Sequence, residues 1–161
     1  MLAVWLAISD VSLKNGGMRA IPGSHPQGQR RHIAARHSAS MLRRGQRIDD
    51  EIDDQSAIEI SLHAGQASIH HPLTIHGSGG NPSNQWRYGI IFNYVSTHNK
   101  IKNGHVESGL LVRGRPPVNG LLLETMPDDD LSQAALAAYG DALSRSSKRY
   151  ADTSQSHDNF G

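Results

Sequence analysis

The 161-residue sequence has no cysteine, which excludes disulfide frameworks, cysteine-ligated zinc and thiol catalysis. It is poor in aromatics, with two Phe, two Trp and four Tyr, mildly unusual for a β-rich core. Neither sign of charge is in excess. Sixteen Lys and Arg against fifteen Asp and Glu leave a formal charge of +1, so bulk charge gives no reason to expect a nucleic-acid partner. No apolar run approaches the ~20 residues of a membrane span. The opening Met1–Ile8 segment is apolar but has no basic leader and soon meets Asp10, so it reads as a buried strand and not as a signal peptide. A cytoplasmic protein with no membrane partner is therefore expected. A chain of this length makes one domain and buries roughly 70% of its unfolded surface. Its 37% apolar content with sixteen Gly is ordinary for a globular chain. The anomaly is ten His, which invites a search for a metal site, since neutral imidazole is the commonest metal ligand.

Along the chain, short apolar runs alternate with Gly/Pro punctuation. Residues 2–9 read as a buried strand, and Met18–Ile21 resumes a strand that stops at Pro22-Gly23. The Asn15-Gly16 turn between them predicts a hairpin. Residues 23–57 are polar. Arg30, Arg31, Arg36, Arg43, Arg44 and Arg47 precede Asp49, Asp50, Glu51, Asp53 and Asp54, a basic block followed by an acidic one that should pair with itself. The stretch reads first as a solvated insertion between strands, and its length leaves open a flap that recognises an anionic substrate. Ile58, Ile60 and Leu62 alternate with polar residues as in a half-buried strand. In Ala67–His71, Ile69 and His71 share one face, with Ser68 and His70 on the other. Residues 77–84 are a Gly/Asn/Pro/Ser loop. Arg87–Val95 is the strongest strand, with Tyr88, Ile90, Phe92 and Tyr94 on one face and Arg87, Gly89, Ile91, Asn93 and Val95 on the other. Short apolar runs follow at 109–112 and 121–124. A helix is expected over 126–150, N-capped among Asp128–Asp130 with Leu131, Ala135, Ala138 and Ala142 as its apolar stripe, and a frayed tail over 151–161. Many short strands and one terminal helix predict a mainly β protein with a jelly-roll or sandwich core.

Chemistry concentrates in His70–Arg87. His76 ends an apolar segment and opens a Gly loop, where a side chain can face a barrel mouth. Arg87 begins the next strand, and its planar fork suits a carboxylate. If the loop joins neighbouring antiparallel strands, both residues lie at one end of the barrel. Spacing alone favours a hydrogen-bonded barrel histidine for His76 and a surface ion-pair partner for Arg87.

Three segments, in order, resemble the phytanoyl-CoA dioxygenase family of Fe(II)/2-oxoglutarate oxygenases. They are Val4–Val11 with Asn15-Gly16, running into Met18-Arg-Ala-Ile-Pro-Gly-Ser-His25; Leu62-His-Ala-Gly65 into Ser68-Ile-His-His-Pro72; and Ile75-His-Gly-Ser-Gly-Gly-Asn81 through Arg87. The resemblance covers residues 1–100, with a weaker continuation at 108–124. It implies a double-stranded β-helix spanning residues 1–125, incomplete at its N-terminus, with 23–57 as the flap. It also implies His76 as the distal metal ligand and Arg87 as the partner of the far carboxylate of 2-oxoglutarate. Ser78 would assist Arg87, and Trp5 would lie against the cosubstrate. Asn81 would order the loop, Gly16 would occupy a turn that tolerates no side chain, and His70 and His71 would support the ligand or pack. The implied reaction is hydroxylation of a small organic substrate, with 2-oxoglutarate converted to succinate and CO2.

One departure matters. The family's other two ligands come from a His-x-Asp pair, and no His-x-Asp occurs in this sequence; His157-Asp158 lacks the spacer. The chain thus reads as a fragment that by itself binds iron weakly. Without that pair, a related non-haem iron halogenase and an inactive carboxylate-binding remnant stay open as alternatives. A cupin metal enzyme is disfavoured, since 70–76 holds neither His-x-His nor Glu. Hydrolase and P-loop signatures are absent.

Overall fold

The computed structural model describes residues 1–34, 46–99, 106–117 and 120–156. The chain divides into two units, Met1–Tyr94 and Val95–Gly161.

The first unit is built on two three-stranded antiparallel sheets. In one, β1 (Leu2–Ala7) lies between β6 (Ala67–His70) and β8 (Gly89–Tyr94). In the other, β2 (Met18–Ala20) lies between β5 (Ile58–Glu59) and β7 (His76–Ser78). A separate pair, β3 (His32–Ala34) with β4 (Gln46–Ile48), stands in the polar stretch.

The expected hairpin between residues 2–9 and 18–21 does not form, because β1 and β2 are the central strands of different sheets. Residues 8–17 are not a two-residue turn; they carry the chain from sheet to sheet. Ser12 caps a 3-10 turn over Leu13–Asn15, and Gly17 N–H donates to the Ser12 carbonyl at 2.7 Å. The Asn15 side chain, 6% exposed, accepts from Ser12 N–H at 2.9 Å and donates to the Asp10 carbonyl at 2.8 Å. A side chain at position 17 would meet the Ser12 carbonyl carbon and oxygen at 2.6 Å, so only glycine fits this crossing. The half-buried strand expected over 58–62 is shorter than its pattern suggests. It comprises β5 and an isolated bridge of Leu62 to Val11.

The basic and acidic blocks pair with one another. Arg30 lies 3.1 Å from Asp50 and Arg31 lies 3.5 Å from Asp49, while Arg19 reaches Asp54 at 3.2 Å. Such exposed pairs are each worth about 0–1 kcal/mol. Arg36, Arg43 and Arg44 lie outside the described residues.

In the second unit, β9 (Glu107–Gly109) and β10 (Leu121–Leu123) form a parallel pair, and α1 spans Gln133–Ser156. Arg145 of α1 donates to the Ser108 hydroxyl at 3.0 Å. The helix begins later than the expected residue 126 and runs beyond 150. Leu131 sits at φ 54°, which the helical backbone does not allow, and Ser132, not an aspartate, accepts the Ala135 N–H at 3.2 Å. Of the expected tail, 157–161 lies outside the described residues.

The register divides the β6-β1-β8 sheet into unlike faces. Leu2, Val4, Leu6, Ala67, Ile69, Ile90, Phe92 and Tyr94 share one face, and none carries a charge. Ala3, Trp5, Ala7, Ser68, His70, Gly89, Ile91 and Asn93 share the other. On the apolar face Leu2, Ile69, Ile90, Phe92 and Tyr94 are all more than two-fifths exposed, whereas the buried apolar residues among those described are the small Ala3, Ala7, Val11 and Ala20. Exposed apolar area of this kind seeks a cover. The isolated chain should therefore bind a hydrophobic anilinonaphthalene dye and self-associate as concentration rises in sedimentation velocity. Phe92→Lys should reduce both; a dye-silent monomer at all concentrations would contradict this account of the face.

Candidate functional site

The site begins at a buried serine. Pro22-Gly23 turns the chain out of β2, and Ser24, 4% exposed, follows. Its hydroxyl donates to the Ile21 carbonyl at 2.8 Å and accepts the Ile75 N–H at 2.8 Å, while Ile21 N–H donates to the Ile75 carbonyl at 2.9 Å. The Pro-Gly-Ser-His segment thus clamps the residue just before His76. In the sequence Ser24 is only one letter of a signature; the structure gives it work. Ser24→Ala leaves a buried N–H without an acceptor, a cost of about 1–3 kcal/mol.

His76 opens β7 opposite Ala20. Its Nδ1 lies 2.6 Å from the Thr74 carbonyl oxygen. A carbonyl only accepts, so Nδ1 carries the proton and Nε2 presents its lone pair, the tautomer a metal-ligating imidazole needs. His70, from β6 of the other sheet, lies against it, with ring centroids 5.2 Å apart and planes at 54°. His25 and His71 make a second ring pair at 5.4 Å, and the His71 Nδ1 accepts the Leu73 N–H at 3.2 Å.

Trp5 sits at the middle of β1, between Ser68 and Ile91. The Arg87 guanidinium carbon lies 5.6 Å from the centre of its ring, within cation–π range. Arg87 is half-buried and has no carboxylate partner among the described residues. Gly89 makes this contact possible, because any β-carbon there would overlap the Trp5 indole. Sequence reading passed over Gly89, although a glycine inside the strongest strand is itself a signal of close approach.

Ser78 shares the His76 face of β7, opposite Met18, and makes no hydrogen bond to Arg87. Asn81 ties the loop. Its amide donates to the Gln85 carbonyl at 2.7 Å, and its oxygen accepts Ser83 N–H at 3.0 Å and Ser83 hydroxyl at 2.7 Å. Gly16, at φ 78°, lies against it, and a β-carbon there would be strained and 3.2 Å from the Asn81 Cα.

Trp5, Ser68 and His70 share one sheet face, Arg87 stacks on Trp5, and His76 meets His70. The imidazole and the guanidinium singled out by sequence therefore touch the same sheet face, His76 through His70 and Arg87 through Trp5. Two recesses lie elsewhere. One, of about 230 Å³, runs from Ile21–Ser24 to Asp50–Asp53; the other, of about 290 Å³, lies among Val11, Asn15, Leu62 and Gln85. For a metal the donor set is short. His76 is fitted to ligate, but among the described residues no three His, Cys, Asp or Glu side chains converge on one point. These residues do not hold a metal in a facial triad by themselves.

Burial, and secondarily the nearby His76, hold the His70 imidazole below its ordinary pKa of 6.5. The unfolded chain then binds the extra proton more readily than the folded one. Stability should fall as pH drops below about 6.5, and His70→Phe should flatten that limb of a urea-midpoint profile. An unchanged slope would show that His70 does not titrate with folding.

Residues 1–89 match the family phytanoyl-CoA dioxygenase (PhyH), and the chain belongs to that family. Among curated relatives, it is 25% identical over 96 residues to "Phytanoyl-CoA dioxygenase, peroxisomal" of Homo sapiens, covering 60% of this chain and 28% of that protein. It is 26% identical over 102 residues to "Phytanoyl-CoA dioxygenase domain-containing protein 1" of Danio rerio, covering 63% and 35%. Among solved structures, an apo non-heme monooxygenase, ThoJ, superposes with a TM-score of 0.80 at 33% identity, over 96% of this chain and 55% of that one. Its nickel complex gives 0.73 at 30%, over 94% and 52%. The chain thus spans about half the length of these structures, and its matches cover about a third or less of the curated proteins.

Proposed function

We propose that the chain is part of an Fe(II)/2-oxoglutarate-dependent dioxygenase of the phytanoyl-CoA dioxygenase type. It would hydroxylate a small organic substrate, with 2-oxoglutarate going to succinate and CO2. The observation that carries this is that one sheet face holds both Trp5, on which Arg87 stacks without a carboxylate partner among the described residues, and His70, which His76 meets. Family membership and the likeness to non-heme monooxygenases, one of them holding nickel, support it. Two three-stranded antiparallel sheets with β1 and β2 as central strands fit a double-stranded β-helix.

The geometry supports the following roles. Arg87, pressed on Trp5 and without a carboxylate partner among the described residues, takes the far carboxylate of 2-oxoglutarate as a charge-assisted pair. Trp5 forms the wall beside it. Ser78, on the His76 face, offers a hydroxyl to the same dicarboxylic acid. His76 presents Nε2 as one ligand of the iron, which supplies the oxygen chemistry when bound. No His-x-Asp pair to complete the ligand set occurs within these 161 residues.

Calorimetric titration of the chain with 2-oxoglutarate should show one weak site. Arg87→Gln should weaken it at least about tenfold, the worth of one charge-assisted hydrogen bond. Fe(II) should not bind stoichiometrically at micromolar concentration to the chain alone. Binding of 2-oxoglutarate that ignores Arg87, or a tight one-to-one Fe(II) site in this chain, would overturn the assignment.

A further inference from the structure

The polar face of the β6-β1-β8 sheet has a row that the cosubstrate and metal roles leave unused. Ala3 of β1 is opposite His70 on one side and Asn93 on the other. Strands in a sheet lie about 4.8 Å apart, so the His70 and Asn93 backbones stand roughly 9–10 Å from each other with the Ala3 methyl as floor between them. Ala3 is 7% exposed, so the floor is closed and apolar. Both flanking side chains have hydrogen-bonding capacity to spare. Neither His70 nitrogen has a protein partner among the described residues, and its Nδ1 is buried. The Asn93 amide is exposed and makes no side-chain hydrogen bond among them either. Buried polar atoms are normally satisfied, so an orphan beside a binding surface points to a partner that arrives with a ligand.

Charge narrows the chemistry. The next row holds Ser68, Trp5 and Ile91, of which Ser68 has a buried hydroxyl with no partner among the described residues and Ile91 is 60% exposed. The cation of this face is Arg87, beyond Trp5. An anionic group therefore belongs at Arg87, and nothing in the His70–Ala3–Asn93 row offers it a counter-charge.

We infer that His70 and Asn93, on either side of Ala3, form a specificity subsite for a neutral hydrogen-bonding group of the organic substrate, a carbonyl or hydroxyl, with the apolar part of that substrate lying over Ile91. This rests on reading the face as the substrate-facing wall of an oxygenase. His70 touches His76, so a group held here lies beside the residue proposed to ligate the metal. An imidazole N–H and a carboxamide N–H on opposite sides of a methyl floor can donate together to one carbonyl oxygen, and the carboxamide oxygen can accept from a hydroxyl.

The test uses the full isotope-labelled chain and three soluble probes of one shape: cyclohexanone, cyclohexanecarboxylate and cyclohexylammonium. Cyclohexanone should shift the Asn93 side-chain amide and His70 ring signals. Asn93→Leu and His70→Phe should each weaken that response about three- to tenfold. Asn93→Asp keeps the shape but loses the donor, and should weaken cyclohexanone similarly even if Asn93→Leu fails to fold. Larger shifts of the same signals by either charged probe, or an unweakened ketone response in folded variants, would overturn the subsite. In the same samples 2-oxoglutarate should move the Trp5 indole N–H signal in the parent chain but not in Arg87→Gln. Failure of that arm alone removes the oxygenase reading; failure of the ketone arm alone removes only this subsite.

Discussion

Two short crossings between sheets decide where everything else stands. Residues 8–17 lead from β1 to β2, and residues 71–75 lead from β6 to β7, so neighbours in sequence become central or flanking strands of different sheets. The first crossing is held by Asn15 bonding inside its own turn and by a glycine at 17 that no other residue can replace. The second is held by the Ser24 hydroxyl on Ile75. Together they bring His76 from one sheet against His70 from the other. Without either crossing, His76 would be a histidine on an isolated ribbon.

The second constraint is steric. Trp5 lies along its sheet because position 89 has no side chain, and Arg87 can then stack on the indole. A strand interior loses stability at a glycine, typically about 0.5–1 kcal/mol relative to alanine. Here that loss places an aromatic ring beside a cation that no carboxylate among the described residues neutralises. The same sheet is divided into one face of small and polar residues and one of uncharged apolar ones. The first is fit for ligands and the second for burial, as expected of a sheet that forms one wall of a larger β structure.

Much of this was legible in the residues. Period-two alternation assigned the side chains of 67–70 and 89–94 to their correct faces, and the pairing of the Arg30–Arg31 block with Asp49–Asp50 followed from charge order. The family was legible from three motifs in sequence order. What alternation could not reveal was pairing. Asn15-Gly16 has the letters of a hairpin turn, but the choice between a hairpin and a crossing depends on distant partners, β6 and β8 for one strand and β5 and β7 for the other. The helix start was misplaced because three aspartates imitate an N-cap while the backbone at Leu131 turns left-handed. Ser24, Gly89 and the His70–Ala3–Asn93 row needed register, which one sequence does not contain.

The central claim is that a dicarboxylic acid lies along the surface joining Arg87 to His76, with Trp5 as its wall. The most direct measurement is of intermolecular nuclear Overhauser effects between bound 2-oxoglutarate and the labelled chain. The account predicts contacts from the ligand methylenes to the Trp5 indole and to the His76 ring. Contacts confined to the recess at Ile21–Ser24 or to that at Val11 and Leu62, with none to Trp5 or His76, would contradict it.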